Sequence, residues 1–122
     1  MSRDPRRALD RAQDILDAIA NIQNDLGGLS KDAFLEDGKT QRAVIEGFIV
    51  VGEASNRLCD LRPDLEVGDS DLWAHLRDAY DMRNVLTHEY FRVDAGIVWE
   101  TVLQELPALQ AMLQNFLSRE SV

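Results

Sequence analysis

Four stretches of this chain repeat apolar side chains at three- and four-residue steps, and most are bounded by residues that start or stop helices. Such a chain has to bury four helical stripes against one another. The first stripe is Leu9, Ala12, Leu16, Ile19, Ile22 and Leu26, opened by Asp4 as cap with Pro5 in the first helical position and ended by Gly27-Gly28. The second runs from about Thr40 to Leu61, with Val44, Ile45, Phe48, Ile49, Val51 and Leu58 inward and a stop at Arg62-Pro63. The third begins at Asp69 or Ser70 and carries Leu72, Leu76, Ala79, Tyr80 and Leu86. The fourth, capped by Asp94, carries Ile97, Val98, Val102, Leu106, Leu109, Leu113 and Leu117, with Pro107 expected to kink or divide it. Between the first two, Ser30 caps a short turn through Asp32-Ala33-Phe34-Leu35, and Asp37-Gly38 reads as a loop. The expected fold is all-α: an antiparallel four-helix bundle with a short extra helical turn and a kinked or split last helix.

A length of 122 residues suits one domain, residues 1–122, with one modest core. No apolar run reaches the roughly 18 residues that span a bilayer. The start Met1-Ser2-Arg3-Asp4-Pro5-Arg6-Arg7 lacks the apolar core of a signal peptide, so a cytoplasmic location is expected. The single cysteine, Cys59, excludes an internal disulfide and a cysteine zinc cluster, and its place on an apolar helix face makes it a core residue. A formal charge of −9 speaks against a protein that tracks long nucleic acid through a broad basic patch. It leaves room for a small, local contact with RNA or for a basic partner protein.

The chemistry concentrates in Arg83-Asn84-Val85-Leu86-Thr87-His88-Glu89-Tyr90. Seven residues turn a helix by about 700°, so Leu76, Arg83 and Tyr90 should point almost the same way. Arg83 is therefore expected inside the core-facing stripe, where a guanidinium must find a carboxylate, a carbonyl or a bound anion. His88 would lie about 140° around the helix from Arg83. Either the helix distorts near Leu86 and Thr87, or His88 serves a cleft made with a second copy of the chain. An imidazole titrates near working pH and a guanidinium binds phosphate bidentately, so the pair reads as a site for phosphate chemistry.

The order Arg83, polar Asn84, three further positions, His88, one position, Tyr90, then Phe91 and Val93-Asp94 closely resembles the signature of HepT-like toxins in the HEPN superfamily. Phe34-Leu35-Glu36-Asp37, the run Gln41-Arg42-Ala43-Val44-Ile45, the step Gly52-Glu53-Ala54, and the segment from Asp94 to Leu109 with Trp99 and Pro107 resemble that family in order and spacing. The resemblance covers nearly the whole chain. It implies a HEPN-like bundle and a metal-independent RNA endonuclease without cofactor, acting at a homodimer cleft. Arg83 and His88 would be catalytic and Asn84 and Tyr90 supporting. It further implies a minimal nucleotidyltransferase antitoxin of the MntA type, joined in a dimer or larger assembly, which transfers AMP to Tyr90. The expected substrate is RNA in a short or single-stranded region, tRNA among the candidates. Two other readings of the same residues stay open. One is a non-catalytic adaptor that binds the nucleotidyltransferase or a nucleotide, with Arg83 as an anion clamp. The other is a structural bundle in which Arg83 pairs with an internal acid such as Glu53.

Overall fold

The computed structural model describes residues 5–89 and 92–120, and the expected Asp4 cap lies outside them. Six helices follow one another there: α1 (Pro5–Leu26), α2 (Lys31–Leu35), α3 (Gly38–Leu61), α4 (Leu65–Gly68), α5 (Ser70–His88) and α6 (Ala95–Glu120). Their ends follow from local chemistry. Gly27 leaves α1 with φ of +57°, a left-handed conformation that costs glycine nothing. Ser30 accepts from the Ala33 N–H to start α2, and Asp94 accepts from the Gly96 N–H at 2.8 Å to start α6.

Asp37-Gly38 is a helix start and not a loop. The Asp37 carboxylate accepts the Thr40 N–H at 3.0 Å and the Thr40 hydroxyl at 2.7 Å. Those bonds hold its carboxyl below the ordinary carboxylate range. The turn α4 went unanticipated because it buries one side chain, Leu65, and one residue makes no period. Pro107 stands inside α6 without dividing it. It lies on the exposed side, where water can serve the carbonyl that loses its partner.

α3 runs through the middle of the fold, packed by α1 on one flank and α5 on the other, and α6 lies against α1, α2 and α5. Gly47 of α3 meets Ile22 of α1, Gly52 of α3 meets Arg83 of α5, and Asn56 of α3 accepts from Arg77 of α5 at 2.9 Å. Because 52 and 56 meet 83 and 77 in reversed order, α3 and α5 are antiparallel. The stripes bury as expected in outline, with corrections at their edges. Ala8, Ile15 and Ala18 lie deeper in the core than Leu9 and Leu16, which are half-buried. On α6 the expected Ile97 is 58% exposed, whereas Trp99 and Phe116 are buried. Trp99 turns inward because Phe34 of α2 meets its ring at 5.5 Å between centroids. Cys59 is buried, as its helix face implied, and burial pushes its thiol up.

The far end of the bundle is clamped by charge. Arg62 at the end of α3 bridges Asp64 at 2.9 Å and Glu120 of α6 at 3.0 Å, while Arg119 reaches Asp69, the cap of α5, at 2.6 Å. Both guanidiniums sit 5.5 Å from the Phe116 ring. The start of α5 is thereby fixed, leaving the residues of the signature at its other end. Among the described residues no helix is long and apolar enough to cross a membrane.

Candidate active site

α5 stays helical from Ser70 through His88, so the distortion considered near Leu86 and Thr87 does not occur. Thr87 instead folds its hydroxyl back onto the helix, donating to the carbonyls of Arg83 at 3.0 Å and Asn84 at 3.1 Å. Arg83 and His88 consequently keep the 140° separation of a regular helix. The helix ends at His88, with Glu89 as its cap. Tyr90 itself lies outside the described residues.

Arg83 is not in the middle of the core. Leu76, two turns earlier, is fully buried, but the Arg83 side chain keeps 27% of its surface exposed. Its stem is what the stripe buries. A Cβ on Gly52 would overlap Arg83 Cβ and come within 2.8 Å of the Ala79 carbonyl, so α3 approaches α5 here only because position 52 has no side chain. The methylenes of Arg83 fill that contact and the guanidinium emerges at the rim.

There its nitrogens have three different surroundings. Nε is buried with no hydrogen-bond partner. Nη1 donates to Asn84 Oδ1 at 3.0 Å. Nη2 faces Glu53 Oε2 at 3.6 Å, an ion pair too long for a hydrogen bond, with the Glu53 side chain 45% exposed. An exposed pair of that length contributes little stability. With Nε buried, only the Nη1 and Nη2 ends of the fork are left to meet a ligand.

His88 is exposed at the last position of α5. Its Nδ1 lies 2.7 Å from the Asn84 carbonyl, which can only accept, so Nδ1 carries a proton and Nε2 is the atom that exchanges one with a ligand. Asn84 therefore touches both candidate residues: its side chain holds Arg83 and its carbonyl orients His88. His75, the other histidine, is tied to the Asp71 carbonyl at 2.9 Å, well away in sequence from this arrangement.

Gly52 is the site residue that periodicity could not reveal, since a stripe is read from side chains and glycine has none. The available signal was its cost: a glycine inside a helix of 24 residues needs a packing reason. Beyond Glu53 a cleft of about 350 Å³ runs along α1 and α3, with Arg11, Asp14, Asp17, Val50 and Arg57 on its walls. Its charges are mixed, and no broad basic surface adjoins the guanidinium there. Among the described residues no group of three or more histidine, cysteine or acidic side chains is placed to hold a metal ion.

A family model described as "Ribonuclease HepT-like" matches residues 15–116. A protein of Thermococcus cleftensis named "Probable ribonuclease HepT" is 33% identical over 110 residues, covering 87% of this chain and 92% of that protein. One of Caldanaerobacter subterraneus subsp. tengcongensis named "Putative RNase" is 31% identical over 93 residues, covering 76% and 79%. Another of that name from Methanocaldococcus jannaschii is 33% identical over 96 residues, covering 77% and 74%. No solved structure matches the chain.

Proposed function

This chain belongs to the HepT-like ribonuclease family, and from that premise we propose that it is a metal-independent RNA endonuclease, the toxin of a toxin–antitoxin pair. RNA carries its own nucleophile, the 2′-hydroxyl. Cleavage then asks for a clamp on the phosphate, a group to take a proton and a group to give one. Arg83 is the clamp, through Nη1 and Nη2. His88 transfers a proton through Nε2.

The observation that carries this reading is the double role of Asn84, which bonds the guanidinium with its side chain and the imidazole with its carbonyl. Arg83 and His88 nevertheless open to different sides of α5, which favours a cleft completed by a second copy of the chain. Closed two-fold dimers are the commonest way to build one. With a net charge of −9 the protein grips a short or single-stranded segment, tRNA among the candidates.

The test is direct. Purified protein should cut single-stranded RNA in the presence of excess chelator, and expression of the chain alone should stop cell growth. The second reading, a non-catalytic adaptor, draws on the same separation of Arg83 from His88. An adaptor would leave RNA intact and cells growing.

The proposed partner is a minimal nucleotidyltransferase of the MntA type. In its reaction the Tyr90 phenol gives up its proton to solvent as its oxygen attacks the α-phosphorus of ATP, pyrophosphate leaves, and an AMP ester remains two residues past His88. A bulky anion there would compete with RNA for Arg83 by charge and by volume. Incubation with the partner and ATP should add one or more AMP masses to the peptide bearing Tyr90 and silence cleavage. A Tyr90→Phe protein that is still silenced would place the modification elsewhere.

A further inference from the structure

Metal-free cleavage of RNA needs two proton-transfer groups, and His88 supplies one. We propose that Glu53 is the other: the general base that takes the proton of the attacking 2′-hydroxyl, with His88 as the acid that protonates the leaving oxygen. The inference rests on the ribonuclease reading and goes beyond it by assigning both proton steps.

The geometry of the guanidinium carries it. Nη2 points at Glu53 and Nη1 points at Asn84, the residue whose carbonyl orients His88. A phosphate on the Nη1–Nη2 edge would thus have the Glu53 carboxylate on one flank and Asn84, whose carbonyl orients His88, on the other. In-line displacement at phosphorus has the attacking and leaving oxygens on opposite sides, which is where a base and an acid are required.

Glu53 is also fit for the role chemically. At 3.6 Å it is close enough to be held by Arg83 but not locked in a hydrogen bond to Nη2. Its backbone is anchored, because the Gly52 contact fixes α3 against α5 one residue away. The charged groups sharing its cleft are Arg11, Asp14 and Asp17 of α1 and Arg57 of α3. A carboxylate placed only to pair with Arg83 would gain from a closer approach.

Each step balances. Glu53 Oε2 takes the 2′-hydroxyl proton as the 2′-oxygen bonds to phosphorus. The bond from phosphorus to the 5′-oxygen breaks with its electron pair, and that oxygen takes the proton from His88 Nε2. The products are a 2′,3′-cyclic phosphate and a 5′-hydroxyl, with one proton moved from His88 to the product and one from substrate to Glu53.

The experiment uses the full-length protein, an RNA oligonucleotide, and uridine 3′-phosphate esterified to 4-nitrophenol, whose leaving group needs no acid. Glu53→Gln, which keeps the size of the side chain and removes its charge, should lower kcat by about 10²-fold or more on both substrates. Its Kd for an RNA carrying a 2′-deoxy scissile nucleotide should stay within about twofold of wild type. His88→Ala should be equally impaired on RNA yet recover most of its loss on the nitrophenyl ester. Unchanged kcat in Glu53→Gln, its recovery on the nitrophenyl ester, or a loss explained by weaker binding of the deoxy analogue would each overturn the assignment while leaving the ribonuclease reading in place. A wild-type protein that cuts neither substrate overturns both.

Discussion

Replacing Arg83 or His88 by alanine is expected to reduce RNA cleavage by about 10²- to 10³-fold in each case, with the helical circular dichroism unchanged. The two losses have different origins. Without Arg83 the phosphate loses its clamp, so both binding and turnover suffer. Without His88 the leaving oxygen departs unprotonated, so turnover falls while binding of an uncleavable analogue persists. Stability separates this expectation from the structural reading of Arg83. The guanidinium is part exposed, its Nε has no partner, and its ion pair with Glu53 is 3.6 Å long. Removing such a head group while keeping the buried stem, as Arg83→Met does, should change stability by less than about 1 kcal/mol. If Arg83 existed to tie α5 to α3 through Glu53, Arg83→Met and Glu53→Ala would lower the melting temperature together and leave cleavage to fail only on unfolding. A His88→Ala protein that cuts RNA at the wild-type rate would remove His88 from the reaction.

The second large effect is expected at Gly52, which touches no ligand. Gly52→Val places a branched side chain where even a Cβ overlaps Arg83 Cβ and crowds the Ala79 carbonyl. The carbonyl is backbone and cannot swing aside, so α3 and α5 must separate. Overpacking of this kind costs about 1–3 kcal/mol, which at this chain length lowers Tm by roughly 3–12 °C. The functional loss should exceed the structural one, because the same contact sets where Arg83 emerges and how Glu53 faces it. At temperatures where the variant is fully folded, cleavage should still be down by at least about tenfold. Gly28→Ala is the control: a Cβ there meets nothing within 4 Å, and both Tm and cleavage should hold. A Gly52→Val protein with wild-type melting and activity would show that the approach of α3 to α5 is dispensable.

Much of the fold was legible because helical periodicity and capping are local. Gly27, Ser30, Asp69 and Asp94 mark helix boundaries through bonds or dihedral angles that involve neighbours within a few residues. The mistakes fall where a partner element decides. Ile97 fits the α6 stripe as well as Trp99 does, yet Phe34 lies on the Trp99 side and Ile97 is left in solvent. Leu16 and Ile15 are adjacent and both apolar; the placement of α3 and α6 chose Ile15 as the deeper one. Asp37-Gly38 misled because glycine at a helix start looks like a turn until the Thr40 hydroxyl is seen to complete the cap.

The candidate site divides along the same line. The order of residues alone singled out Arg83, Asn84, His88 and Tyr90, and the regular helix fixed the angle between Arg83 and His88, since both depend only on positions along one strand of sequence. Glu53 was nameable from the residues as one acid for Arg83, but that it faces Nη2 while Nη1 turns to Asn84 was decided by where α3 crosses α5. Thirty residues separate Glu53 from Arg83, and no periodicity spans them. A side chain missing from Gly52 lets the two helices touch, and helix contact is a property of three dimensions that a linear pattern does not contain.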